Sequence, residues 1–524
     1  MKERTIQFFN DTRVAFTCKG ILVGIAVGFV VSLFRLIIEK ASHFVFNVYG
    51  LLKSEPKWII LWVLISLIVS LFIGYLIKSE PNIRGGGIPQ VEGELIGAIK
   101  MNWWSVLWKK FIGGILSISS GVFVGAEGPS IQLGAVVGQG VNHFLKGKRM
   151  DEKILISSGA GAGLATAFNA PIGGLMFVLE EIHHHLSPLL LLTTLVSVVT
   201  SNFISLNIFG LQPVLNIGKL DFFPTQAYGH LILLGAILAI LGVLYNKIVF
   251  ILPKIYGLIP RLSPNFYGII PFIIVIPIGI VYREIIGSGS EIVLDLGTTF
   301  PELKVILIIF VIRFGFCMIS YGANLPGGNL IPILSLGAII GAIYGTFLFN
   351  KMGIDQIFIR SFIVFAMAGY FSAICKAPLT AIFLVTEMAG TLNQLMPLAV
   401  ISLTAYLVSD LLGGEPLYEA LLERLVGKCR GNLTGKKEII EIPVVIESCL
   451  DGGMIRDYKW PEEALVTSIR RGEKEIITHG DTIIRSGDYL IILTDQGVAN
   501  KVRQEIERMS VHSNKNAQKL QIQR

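Results

Sequence analysis

The chain has 524 residues, 52% of them hydrophobic and only 15% charged, with a mean hydropathy of +0.67 and a formal charge of +7. A water-soluble protein of this length carries far more charge. The basic residues form no stripe interleaved with aromatics, which argues against a nucleic-acid partner. Five cysteines at unpaired spacings (Cys18, Cys317, Cys375, Cys429, Cys449) make neither a disulfide framework nor a zinc pattern, and no cofactor is expected.

Residues 1–15 read as a polar, amphipathic segment. Lys2, Arg4, Arg13 and Lys19 flank the first apolar run and argue for a cytoplasmic N-terminus. Runs at 21–38, 58–77, 231–252, 267–281 and 305–319 are long enough to span a bilayer, or nearly so. No cleavage site follows the first, so 16–38 is a retained helix. Then comes Asn82-Ile-Arg-Gly85-Gly86-Gly87-Ile88-Pro89-Gln90. Three glycines and a proline do not suit a helix interior, and a helix N-terminus follows naturally from them.

Gly121-Val-Phe-Val-Gly125-Ala-Glu127-Gly-Pro129-Ser-Ile-Gln-Leu-Gly-Ala135 holds one carboxylate between apolar stretches. A carboxylate at membrane depth is expensive, so its default reading is functional. Pro129 suits a first helical turn. The picture is a helix that starts inside the membrane with its N-terminus aimed at something negative. The alternative is a Gly-rich packing turn with a satisfied Glu. Lys146-Gly-Lys-Arg149, with Lys153, reads as a cytoplasmic loop. Small residues crowd 157–167, which suits close helix packing in lipid. Asn169-Ala-Pro171 breaks the helix, and the segment ends in Glu180 and Glu181. His183, His184 and His185 point in different directions around a helix, and read as an interfacial polar cap ahead of a metal site.

The second half repeats this plan. Gly125-Ala-Glu-Gly-Pro129-Ser-Ile-Gln-Leu-Gly-Ala135 aligns without a gap on Gly328-Asn-Leu-Ile-Pro332-Ile-Leu-Ser-Leu-Gly-Ala338. Asn169-Ala-Pro171 through Glu180 aligns on Lys376-Ala-Pro378 through Glu387. Positions 125 and 328 lie 203 residues apart and positions 169 and 376 lie 207 apart, so both matches report one duplication. Repeated, helix-broken membrane halves are the pattern of transporters and channels with a site between the halves. Apolar sequence stops near Leu412, and Gly413-Gly-Glu-Pro-Leu-Tyr418 opens an amphipathic exit. After a linker at 426–437, β-rich runs at 439–446, 464–469, 475–477 and 489–493 and a closing helix at 498–509 predict a small soluble α+β domain, 438–510. A polar tail, 511–524, is expected to be disordered.

Five ordered motifs now resemble the CLC chloride channel and transporter family: Gly85-Gly86-Gly87-Ile88-Pro89, Gly125-Ala-Glu127-Gly-Pro129, Asn169-Ala-Pro171 through Glu181, Gly328-Asn329-Leu330-Ile331-Pro332 and Gly414-Glu-Pro-Leu-Tyr418. The likeness covers about 16–425. Arg470-Arg-Gly472, Gly480-Asp and Gly487-Asp-Tyr-Leu490 resemble the TrkA-C domain of potassium-transport regulators. The resemblance implies an all-α polytopic membrane protein with broken helices and two inverted repeats, about 16–210 and 228–425, plus the α+β C-terminal domain. It implies a homodimer in membrane lipid with a pore in each subunit.

It also implies that chloride sits at helix N-termini, on amides of Ile88, Asn329 and Leu330 beside Gly86 and Gly87, with the Tyr418 hydroxyl as a further donor. Partial charges bind an anion and let it leave, where a full charge would hold it too long. Glu127 is then the gate, occupying an anion position when ionised and admitting chloride when protonated. Glu181 is the internal proton glutamate, and Glu180 is structural. Proton/chloride exchange is the leading reading, and a passive channel of the same architecture is its rival.

Three departures bear on selectivity: Gly86 replaces the usual Ser, Ala126 stands where Arg is common, and Asn329 stands where an apolar residue is frequent. A polar amide there resembles fluoride-handling relatives, whereas Gly128-Pro129 fits the chloride type. A membrane enzyme is disfavoured, because no His-Glu-x-x-His or Gly-x-Ser-x-Gly is present. A potassium-transport role lacks a Thr-Val-Gly-Tyr-Gly filter. The C-terminal domain reads as regulatory, with a small ligand such as a nucleotide biasing the exit helix of Tyr418, or else as a dimer-stabilising appendage.

Overall fold

The computed structural model describes residues 13–426 and 437–511, apart from 148, 184–186, 219, 261, 300, 354, 446–447, 473 and 496–497. His184, His185, most of the linker and the tail from 512 lie outside the described residues. The chain divides into two compact units between Leu422 and Glu423.

The first unit is helical. It runs α1 (Arg13–Ser54), α2 (Ile59–Ser79), α3 (Ile88–Ile96), α4 (Trp103–Ser119), α5 (Glu127–Leu145), α6 (Arg149–Phe168), α7 (Pro171–Phe177) and α8 (Pro188–Phe209). It continues with α9 (Tyr228–Gly257), α10 (Ile269–Val281), α11 (Ser290–Thr299), α12 (Leu303–Gly322), α13 (Leu330–Met352), α14 (Phe358–Cys375), α15 (Pro378–Ala389), α16 (Leu395–Leu411) and the start of α17 (Leu417–Val426). Among the described residues nine helical stretches are long and apolar enough to cross a membrane. Their outward faces carry large apolar side chains such as Phe29, Ile60, Phe203 and Val311, as contact with lipid tails requires.

Backbone chemistry sets the interruptions. Pro171 and Pro378 open α7 and α15, where a missing N–H costs nothing. The residues two before them, Asn169 and Lys376, both take left-handed φ, at 53° and 62°. Small residues bring paired helices into backbone contact: Gly134 and Gly138 of α5 lie on α6, and Gly337 and Gly341 of α13 lie on α14. Two expectations shift. The basic loop after α5 is shorter than expected, because α6 begins at Arg149 and Lys153 falls in its first turns. The entry segment is already helical at Arg13.

The second unit holds an antiparallel sheet in the order β1-β4-β2-β3, from β1 (Lys437–Pro443), β2 (Leu465–Arg471), β3 (Lys474–Ile477) and β4 (Tyr489–Asp495). Alternation along β1 and β4 turns Ile440, Ile442, Leu490 and Ile492 to one face, where Val502 and Ile506 of α18 (Ala499–Val511) complete the core. Arg471 donates to both carboxylate oxygens of buried Asp488, at 2.8 and 2.7 Å. Asp488 also accepts the Arg485 N–H at 2.8 Å, so one carboxylate ties the Arg-Arg-Gly turn to the Gly-Asp-Tyr-Leu turn. Its hydrogen bonds raise the Arg471 pKa above an already high ordinary value.

Candidate functional site

Three breaks in the helices meet at one place. Gly125 donates to the Gly328 carbonyl at 2.8 Å, and Gly328 donates back to the Gly125 carbonyl at 2.7 Å. Gly85 donates to the Asn324 carbonyl at 3.3 Å, and Gly327 to the Gly85 carbonyl at 3.1 Å. Backbone that is neither helix nor strand is tolerated in a membrane only when buried and satisfied, and these exchanges satisfy it. The approach needs glycine: a Cβ on Gly128 would stand 2.8 Å from the Gly86 Cα and 3.1 Å from the Gly328 Cα.

Glu127 is fully buried at the centre of this junction, as the first residue of α5. Its Oε1 accepts the Ile331 N–H at 2.9 Å. The partner amide belongs to the first turn of α13, whose unsatisfied N–H groups favour negative charge. Oε2 has no donor among the described residues. The acid thus sits against a helix N-terminus of the other half.

The other expected residues divide into two groups. Gly86 packs against this junction, with Gly328 Cα 3.6 Å and Gly128 Cα 3.9 Å from where its Cβ would be. Gly87, in the left-handed region at φ 99°, precedes Ile88 at the start of α3 and lies against Gln132. Leu330 and Asn329 open α13. The Tyr418 hydroxyl, expected to face the anion, here donates to Asn329 Oδ1 at 3.2 Å, while the buried Asn329 Nδ2 has no acceptor among the described residues.

Glu181 is 4% exposed and lies in a single π turn (Val178–Ile182) that follows α7. The extra residue in such a turn gives neighbouring side chains different outlooks. Glu180 faces away and accepts the Leu379 and Thr380 N–H groups at 3.0 and 2.6 Å, capping α15. Glu387 returns the bond, accepting the Ile172 and Gly173 N–H groups at 3.1 and 2.7 Å and capping α7.

Sequence reasoning missed three buried charged groups. Glu92 of α3 is 7% exposed. Lys110 of α4 and Arg313 of α12 are both 0% exposed. Each is a lone or paired charge within an apolar helix, which is itself a signal at membrane depth. His183 bonds to Ser157 at 2.6 Å, and no metal-binding cluster occurs among the described residues.

Residues 67–410 match the family described as voltage gated chloride channel, and the chain belongs to that family. Residues 439–507 match the TrkA-C domain, which the second unit forms. The chain is 31% identical over 436 residues to a protein named H(+)/Cl(-) exchange transporter ClcA from Vibrio cholerae serotype O1 (strain M66-2), covering 80% of this chain and 92% of that one. A ClcA of Vibrio parahaemolyticus is 32% identical over 417 residues, covering 77% and 88%. Among solved structures, a slow cyanobacterial Cl-/H+ antiporter superposes with a TM-score of 0.75 at 28% identity, covering 80% of this chain and 99% of that one. A CLC-type fluoride/proton antiporter shares the fold at 19% identity, with a TM-score of 0.63 and coverage of 76% and 95%.

Proposed function

We propose that this protein exchanges chloride for protons across the membrane, with Glu127 as the gate. The observation that carries this reading is a buried carboxylate held by the Ile331 N–H at the meeting of three helix breaks. Amides so arranged bind an anion without a fixed cation in direct contact. Ionised, Glu127 fills the position. Protonated, it leaves, and chloride takes its place on the amides of Ile88, Asn329 and Leu330 beside Gly86 and Gly87. One seat contested by a carboxylate and an anion couples the two fluxes by exclusion. Glu181, itself buried, passes the proton to the cytoplasmic side, and Tyr418 closes the anion path through its bond to Asn329.

The relatives named as exchange transporters and the superposed Cl-/H+ antiporter support exchange over passive conduction. In this reading the division into 16–210 and 228–425 is the duplication, both termini are cytoplasmic, and the protein is a homodimer with a pore per subunit. The TrkA-C domain binds a small regulator such as a nucleotide.

The test is flux in proteoliposomes. An imposed chloride gradient drives protons uphill in the purified protein. Chloride movement without proton movement would make it a channel. Gly86 and Asn329 bear on selectivity, so fluoride, chloride and nitrate are compared in the same assay.

A further inference from the structure

Lys110 and Arg313 lie 203 residues apart, the same spacing that relates Gly125 to Gly328. Lys110 Nζ donates to the carbonyls of Ile83 and Gly85, at 3.0 and 2.7 Å. Arg313 donates to the carbonyls of Ile285 and Gly287, at 3.1 and 2.8 Å. Those acceptors are also equivalent, since 83 and 285, and 85 and 287, each lie 202 apart. The loops they hold make matching crossings: Gly85 donates to the Asn324 carbonyl, and Gly287 donates to the Gly121 carbonyl at 2.8 Å. Neither cation is ion-paired among the described residues. Desolvating a cation without a carboxylate partner is costly, and here carbonyl oxygens alone oppose that cost for Lys110.

The two braces serve different ends. The loop gripped by Lys110 runs directly into Gly86, Gly87 and Ile88, next to Gly128 and Gly328 at the Glu127 junction. The Gly85 carbonyl also accepts the Gly327 N–H, so the ammonium fixes the strap that joins the first break to the third. The loop gripped by Arg313 runs into α11, which carries none of the proposed anion amides. Arg313 instead reaches Ser288 O at 2.6 Å and Ser335 Oγ at 2.9 Å and lies over the Phe123 ring at 4.1 Å.

We propose that Lys110 is a positioning residue of the anion site, turning the carbonyls of Ile83 and Gly85 aside so that the amides from Gly86 to Ile88 face the anion, and that Arg313 is its duplicate retained to hold the fold. This rests on the exchange reading above. Released from the ammonium, the Ile83 carbonyl, and the Gly85 carbonyl then held by the Gly327 N–H, would swing their negative ends toward the anion. A charge-assisted bond to a lysine that is itself packed prevents this.

The experiment measures chloride binding by titration calorimetry on the purified full chain, with exchange kinetics and thermal unfolding in parallel. Lys110→Met weakens chloride binding by about tenfold or more, the scale of losing a charged donor, and raises the apparent KM for chloride more than it lowers the turnover rate. Lys110→Arg, which copies the partner in the other half, stays within about threefold of wild type. Arg313→Met lowers the unfolding temperature but moves chloride affinity by no more than about twofold, because its loop lies off the anion path.

Unchanged affinity in Lys110→Met overturns the proposal. An equal loss in Arg313→Met also overturns it, because the effect is then long-range charge. If Lys110→Met does not yield monodisperse protein, Lys110→Gln replaces it, because its shorter side chain and neutral amide cannot hold both carbonyls as the ammonium does. The same loss supports the proposal and wild-type affinity overturns it. Wild-type protein that binds and moves no chloride defeats the exchange reading itself, which separates the two failures.

Discussion

The two halves of the membrane unit share a backbone and differ in chemistry. Positions 127 and 330 are equivalent, and one is a glutamate and the other a leucine. Yet each opens a helix at the same junction, and the amides at the start of the second helix receive the acid of the first. Equivalent glycines at 125 and 328 trade carbonyls, Glu180 and Glu387 trade helix caps, and Lys110 and Arg313 hold matching loops. What the duplication retains is what an irregular buried backbone demands of any sequence. What it changes lies where a ligand is read. One half supplies the acid and the other supplies the amides that bind it, so neither half is a site alone.

The comparison breaks most severely at Glu127. Glu127→Gln is expected to abolish proton coupling while chloride still flows, since a neutral amide cannot exchange a proton. Proton movement at the wild-type ratio in proteoliposomes would remove the acid from its assigned place. Next is Gly125→Ala. Its added Cβ collides with the Glu127 carboxyl group, pushing the side chain off the Ile331 amide. The expected result is a leak of chloride with a reduced proton ratio, again read by flux.

Smaller, and equal in the two halves, are the caps. Glu180→Ala and Glu387→Ala each remove a carboxylate that accepts two backbone N–H groups. Each is expected to cost about 2 kcal/mol of stability, seen as a lowered unfolding temperature with exchange stoichiometry intact. A loss of coupling in Glu180→Ala would assign it a transport role and end the symmetry. The mildest change makes the halves more alike. Ser288 occupies the position equivalent to Gly86, and the nearest atom to a Cβ on Gly86 is 3.6 Å away. Gly86→Ser is therefore expected to fold as stably as wild type and to shift anion preference by less than about tenfold, the scale of one added neutral donor.

Much of this was legible in the sequence because broken helices leave a residue signature. Gly-Gly-Gly-Ile-Pro, Glu-Gly-Pro and Ala-Pro mark helix starts with no other comfortable reading, and two ungapped matches expose the duplication. The C-terminal strands were legible from alternation, each within a few residues of its observed ends. Contacts between distant segments were not. Nothing near Glu180 shows that its carboxylate caps a helix some 200 residues later, or that Glu387 does the converse. Lys110 sits beside Lys109 and resembles an interfacial pair until the fold sends one to the Ser79 carbonyl and the other, fully buried, to the Gly85 carbonyl. Asn329 likewise acquires meaning from Tyr418, a neighbour that sequence order does not place beside it.

The traded caps carry a consequence for how the protein is made. When the ribosome has finished only the first half, Glu180 has no amides to receive and the amides of Ile172 and Gly173 have no carboxylate. The nascent half must wait, incompletely bonded, until residues beyond 387 emerge and both debts close together. Two separately encoded halves, produced in one cell, should therefore rescue each other from degradation, while either alone is cleared.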